Sequence, residues 1–85
     1  MTRKVEIYSR SNCSYCDMAK NFFDSKGINY DVYNADYPKV FKEMLDRNPN
    51  ARTVPQIFIN DFHVGGYDDL YAIDRSGELD KLLES

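Results

Sequence analysis

Residues 11–16 read Ser-Asn-Cys-Ser-Tyr-Cys, and Cys13 and Cys16 are the 2 cysteines of the 85-residue chain. The pair sits between two different patterns. Before it, Lys4 to Ser9 alternates: Val5, Ile7 and Ser9 point one way, Glu6 and Tyr8 the other, which predicts a strand over 3–8. After it, Cys16, Ala19, Phe22 and Phe23 recur at three- and four-residue spacings, which predicts a helix from Cys13 to about Lys26. Ser11 or Asn12 stands where a cap is needed, and Gly27 stands where the helix must stop. Two thiols at i and i+3, where a loop becomes a helix, share a helix face. Such a pair can close into a disulfide and reopen.

Working outward, Ile28 to Asn34 alternates again and predicts a second strand over 29–33. Strand, helix and strand together have the length of a parallel crossover. Ala35-Asp36-Tyr37-Pro38 reads as a second helix entry, with Asp36 as cap and Pro38 near the first turn. Val40, Phe41, Met44 and Leu45 form its apolar stripe, and Asn48-Pro49-Asn50 ends it. Thr53 to Ile59 is strand-like, but Pro55 removes a ladder donor, so the strand is expected over 56–60. Asn60-Asp61 predicts a hairpin turn into a strand over 62–65, and Gly65-Gly66 permits a sharp bend. A short helix over 68–73 is broken by Ser76-Gly77. A last helix over 78–83 turns Leu79, Leu82 and Leu83 inward.

The length suits one domain spanning 1–85. With 42% apolar and 29% charged residues the composition is that of a soluble globular chain, and 7 tyrosines and 5 phenylalanines fill a thin core. A net charge of −3 and no basic stripe argue against a nucleic-acid partner. No run approaches the ~20 apolar residues of a membrane span. The first apolar run, Val5 to Tyr8, is interrupted by Glu6 and is too short for an export signal. A cytoplasmic, reducing setting is therefore expected. There a pair of this spacing is catalytic or metal-binding rather than a structural staple. Tetrahedral zinc needs four ligands, and beyond the two cysteines the chain offers one histidine, His63, distant on the predicted hairpin. No metal site is expected, and His63 reads as an exposed strand residue.

The two thiols are not equivalent. Cys13 lies at a helix N-terminus, where unpaired N–H groups and the helix dipole favour a thiolate, the attacking species. Arg10 adds positive potential. Cys13 is thus the expected nucleophile, and a lowered pKa also makes it a good leaving group. Cys16, one turn inside, is expected to be more buried and to resolve the mixed disulfide. The ring of Tyr15, between them, can wall a groove beside Cys13.

Four segments together resemble the glutaredoxins over essentially the full length: Val5-Glu6-Ile7-Tyr8, Cys13-Ser14-Tyr15-Cys16, Thr53-Val54-Pro55-Gln56-Ile57-Phe58-Ile59 and Gly65-Gly66-Tyr67-Asp68-Asp69-Leu70. The small bacterial dithiol class is the nearest in pattern. The resemblance implies an α/β thioredoxin fold: a four-stranded mixed sheet in the order 2-1-3-4, the third strand antiparallel, with helices on both faces. It implies a monomeric oxidoreductase that uses glutathione as co-substrate, holds no tightly bound cofactor and reduces protein disulfides and glutathionylated proteins. Ribonucleotide reductase is one such substrate within the family.

It also implies roles for particular residues. Pro55 is expected to be cis and to face the cysteines. Beside Thr53, the Val54 N–H and C=O would then be free to pair with the cysteinyl backbone of glutathione. The helix N-terminus after Gly66-Tyr67 would hold the γ-glutamyl carboxylate, and Asp68 or Asp69 its amino group, unless these acids serve only as caps. Arg10 and Arg52 are the candidate partners of the glycyl carboxylate, and Tyr15 flanks the ligand. Three positions depart from the common pattern. Ser14 stands where proline is frequent, Arg10 where lysine is frequent, and Tyr67 where cysteine is frequent. Some glutaredoxins with this serine bind a [2Fe–2S] cluster between two subunits. Thioredoxin itself fits poorly, for no Trp precedes Cys13 and no Gly-Pro separates the cysteines.

Overall fold

The structure, a computed structural model, describes residues 4–50 and 52–84. The expected start of the first strand, residue 3, lies outside them. The elements are β1 (Val5–Ser9), α1 (Ser14–Ser25), β2 (Asp31–Asn34), α2 (Pro38–Arg47), β3 (Gln56–Ile59), β4 (Phe62–Gly65), α3 (Tyr67–Ser76) and α4 (Glu78–Glu84). The sheet runs β2-β1-β3-β4. β1 pairs parallel with β2, Ile7 beside Val32, and antiparallel with β3, Ile7 beside Ile57. β3 and β4 form an antiparallel hairpin whose register shifts between Ile57 and Phe58. Order and direction are those expected of the thioredoxin fold.

The alternation in β1 sends its side chains to two unlike cores. Val5 and Ile7 join Ile57 and Ile59 against Ala19 and Phe23 of α1, Leu70 of α3, and Leu79 and Leu83 of α4. Tyr8 and Phe58 point the other way, against Met44 of α2 and Ala35. That second face also buries a charge. Glu6 is 4% exposed, and Arg47 clasps its two carboxylate oxygens at 3.1 Å each. The Arg47 guanidinium lies 3.8 Å from the centre of the Phe58 ring, and the Tyr33 hydroxyl donates to the same carboxylate at 3.1 Å. Burial pushes the Glu6 carboxyl pKa up, but the bonds and charge of Arg47, with Tyr33, outweigh it and leave the carboxyl below its ordinary value. Among the described residues, no buried side-chain polar atom lacks a partner.

The helix starts differ from expectation in two places. Neither Ser11 nor Asn12 caps α1; Cys13 does, its sulfur accepting the Cys16 N–H at 3.1 Å. Asp36 does not cap α2 either. The cap position is Tyr37, without a side-chain bond. Asp36 sits one residue too early to reach the free N–H groups of that helix. Its carboxylate instead accepts from the Ser11 N–H at 2.9 Å, the Ser11 hydroxyl at 2.6 Å and Arg10 Nε at 3.3 Å. α3 also runs past the expected residue 73 to Ser76. It stops where Gly77 adopts the left-handed conformation, with φ of 86°.

Candidate active site

The end of β1, an inner strand of the sheet, two loops and two helix starts meet around Cys13. β1 ends at Ser9, and the next turn bends through Asn12 at φ 57°, an angle that asparagine tolerates better than most residues. Asp36 pins that turn through Ser11, so the chain enters α1 in a fixed position. Cys13 and Cys16 are joined as a disulfide with their Cα atoms 5.2 Å apart. Cys16, in the first turn of α1, is fully buried, while Cys13 is half-buried. The Cys16 N–H directed at the Cys13 sulfur is a ready donor to a thiolate when the bridge opens.

Across from the cysteines, the Val54–Pro55 peptide bond is cis. The Val54 carbonyl oxygen lies 3.9 Å from the Cys13 sulfur. A groove of about 610 Å³ opens beside this contact. Thr53, Val54 and Pro55 line it from the loop before β3, and Gly66, Tyr67, Asp68 and Asp69 from the start of α3. Tyr15 lines it too, its ring 6.3 Å from that of Tyr67. The two loops lie close at Gly66, where a Cβ would stand 3.7 Å from the Pro55 carbonyl, an ordinary van der Waals contact. Gly65 has φ of 115°, and a Cβ on it would run into the Asp69 side chain. Asp69 accepts the Gly66 N–H at 3.0 Å and so closes the N-terminus of α3. Asp68 is exposed and has no hydrogen bond or ion pair to another described residue.

The two expected cations lie apart from the groove lining. Arg10 pairs with Asp36 at 3.3 Å, and its guanidinium stands 5.4 Å from the centre of the Phe41 ring. Arg52 is exposed. Among the described residues, no three metal-binding side chains cluster together, and no helix is long and apolar enough to cross a membrane.

Three further polar residues that sequence reasoning did not place in the site line the groove, Asn48, Asn50 and Gln56, together with Gly65 of the expected bend. Another lining residue, His63, is a correction. Expected to be exposed, it is half-buried, its ring 4.9 Å from Phe58. One ring nitrogen contacts Asn48 at 2.8 Å and the other Gln56 at 2.6 Å. The register of the hairpin explains this, for His63 stands opposite Phe58, on the face that α2 covers. Burial depresses the His63 pKa below the ordinary histidine value of 6.5; the Asp69 charge opposes this and the Arg47 charge adds to it. The available signal was Gln56 and His63 themselves, two polar side chains inside otherwise apolar strands.

An exchangeable thiol pair at a helix start, facing a cis-proline loop on this sheet, defines a thioredoxin-fold thiol–disulfide oxidoreductase. The glutaredoxin family profile matches residues 5–64. Glutaredoxin 3 of Escherichia coli K12 is 44% identical over 80 residues, covering 94% of this chain and 96% of that protein. Glutaredoxin 1 of Rickettsia bellii is 46% identical over 85 residues, covering 94% and 86%. Among solved structures, a buckwheat glutaredoxin–glutathione complex superposes with a TM-score of 0.85 at 29% identity, covering 96% of this chain and 77% of that one. The solution structure of a Brucella melitensis glutaredoxin gives 0.78 at 43% identity, covering 94% and 87%. The chain belongs to the glutaredoxin family.

Proposed function

We propose that this protein is a glutathione-dependent oxidoreductase that reduces protein disulfides and glutathione mixed disulfides. The observation that carries the reading is the Cys13 sulfur, half-exposed and capped by the Cys16 N–H, 3.9 Å from the Val54 carbonyl at a groove with a helix N-terminus. Cys13 thiolate attacks a substrate disulfide. A new S–S bond forms at Cys13, the old one breaks, and the leaving sulfur departs as a thiolate that takes up a proton. In the dithiol route, Cys16 then attacks Cys13 and frees the reduced substrate; two glutathiones reopen the bridge and leave as glutathione disulfide. In the monothiol route, Cys13 takes the glutathionyl group and a second glutathione removes it. A potential in the glutaredoxin range, roughly −200 to −230 mV, lets a cytosolic glutathione pool drive either cycle.

In this reading glutathione lies in the groove as an added strand on Val54, beside Thr53 and Pro55. Its γ-glutamyl carboxylate meets the N-terminus of α3 at Gly66 and Tyr67. Asp68 suits the γ-glutamyl amine better than Asp69, because Asp69 already caps the helix. Tyr15 flanks the ligand. Arg52 and Arg10 serve the glycyl carboxylate, with Arg10 shared with Asp36. A buckwheat relative crystallised with glutathione supports glutathione as the ligand. We further propose one redox domain spanning the chain, a monomer, working in the cytoplasm on disulfide-bonded or glutathionylated proteins; ribonucleotide reductase belongs to that substrate class. The alternative, a [2Fe–2S] carrier, would take its four ligands from Cys13 of each of two protomers and the thiolates of two glutathiones, and no step of the cycle above runs through it.

Two variants test the reading on a glutathionylated peptide. Cys13→Ser is expected to lose activity to background, and Cys16→Ser to keep it by the monothiol route. Full activity in Cys13→Ser would sink the assignment, and its loss in a folded Cys16→Ser would remove the monothiol route.

A further inference from the structure

We propose that His63 is a positioning residue for the groove: with its hydrogen on Nε2 it ties the Asn48–Asn50 turn to Thr53, and protonation at Nδ1 cuts that tie. The bonds can run in one direction only. The Thr53 carbonyl can only accept, so Gln56 Nε2, 2.8 Å away, donates to it. This orients the Gln56 amide and turns its oxygen to His63 Nε2 at 2.6 Å. Nε2 therefore carries the hydrogen, and Nδ1 of the neutral ring holds a lone pair. Asn48 Nδ2 donates to that lone pair at 2.8 Å. Asn48 Oδ1 in turn accepts the Asn50 N–H at 3.2 Å. Asn48, Asn50, Thr53, Gln56 and His63 all line the groove, so the relay runs along the surface that receives the ligand.

Protonation places a hydrogen on Nδ1 opposite the Asn48 amide hydrogens. Donor then faces donor. Asn48 can answer only by turning its amide over, which abandons the Asn50 N–H. The charged groups that face the ring are Arg47 at the end of α2, which opposes a positive ring, and Asp69 of α3, which favours one. Burial beside Phe58 also opposes the charge, and the neutral ring prevails at neutral pH. No bond in the relay involves either cysteine sulfur. It therefore acts on the KM for glutathione and leaves the attack by Cys13 alone, a consequence that rests on the groove being the glutathione site.

Two measurements separate the relay from that reading. In the glutathione-free protein, long-range nitrogen–proton NMR of the His63 ring reports its tautomer. The amide shifts of Asn50 and Thr53 report the loops. The expected result is Nε2–H at pH 7.5, with both amides titrating at the ring's own midpoint in the native protein and staying flat in His63→Gln. An Nδ1–H ring, or amides that ignore the ring, overturns the relay whatever the groove binds. The second measurement follows KM for glutathione from pH 7.5 to one unit below the ring's midpoint. The ratio of native KM to that of His63→Gln is expected to rise about fivefold, the effect of one ordinary hydrogen bond, with the kcat ratio constant. A KM ratio flat in pH overturns the positioning role. A native enzyme that never saturates with glutathione, in the presence of the expected NMR result, overturns the glutathione reading and upholds the relay.

Discussion

On one face of the sheet, α1, α3 and α4 bury an apolar cluster around Ile7, Phe23, Ile57 and Leu70. On the other, α2 covers Tyr8 and Phe58 together with a buried ion pair, Glu6–Arg47, and a histidine relay. So small a chain divides its work between the two faces. The apolar face is non-directional; it supplies stability and carries Cys16 on its helix. The polar face is directional. Its groups are held in fixed orientations by hydrogen bonds and charge, and the His63–Gln56 bonds lead to Thr53, two residues before the cis proline. Packing holds the nucleophile's helix, and hydrogen bonds hold the loop opposite it.

The contrast breaks most visibly in the apolar core. Phe23 is fully buried, and Phe23→Ala is expected to cost about 3–5 kcal/mol of folding free energy by chemical denaturation. A loss below about 1 kcal/mol would mean that the cluster collapses around the gap and is not tightly packed. On the polar face, removing one partner of the ion pair strands a buried group. Arg47→Met is expected to cost about 2–4 kcal/mol. The double change Glu6→Gln with Arg47→Met is expected to cost less than the sum of the two single changes, and strict additivity would show that the pair is not coupled. Gly65→Ala, strained at its φ of 115° and obstructed by Asp69, is expected to cost about 1–3 kcal/mol and to raise KM for glutathione; an unchanged midpoint and KM would deny that Gly65 shapes the groove.

The smallest effect is the dependence on pH. The folded Glu6 carboxyl lies below its ordinary 4.5. Its stabilisation is thus present above about pH 4.5 and is lost as pH falls through the lower folded value. Glu6→Gln should flatten that part of the stability curve. His63, depressed below 6.5, favours the fold above that pH and less below it, so His63→Gln should remove a shallower loss at higher pH. Curves that superpose with the native protein's would contradict both assignments.

Most of the apolar face was legible in the chain because its information is local. Val5 and Ile7 alternate, and Cys16, Ala19 and Phe23 keep helical spacing, so each residue announces its side of the element. The thiol pair, the Thr53-Val54-Pro55 loop and the Gly66–Asp69 helix start are likewise contiguous motifs. The cis bond before Pro55 was expected only through family resemblance, because proline in isolation favours trans. The polar face was read poorly because its partners are distant in sequence. Asp36 looked like a cap until three donors from the Arg10–Ser11 turn, 25 or more residues away, claimed its carboxylate. Asn48 and His63 meet across 15 residues, and nothing in the neighbourhood of either signals the other.

Delivery of glutathione to Cys13 by the groove between Val54 and α3 is the proposed function. It is tested most directly by the rate of reduction of a glutathionylated peptide as glutathione is varied, in the native protein and in Asp68→Asn. The native rate is expected to saturate with glutathione. Asp68→Asn should raise the half-saturating concentration about tenfold, through loss of one charge-assisted bond to the γ-glutamyl amine, with little change in the limiting rate. A rate independent of glutathione, or sustained equally by an unrelated small thiol such as dithiothreitol at the same concentration, would contradict it.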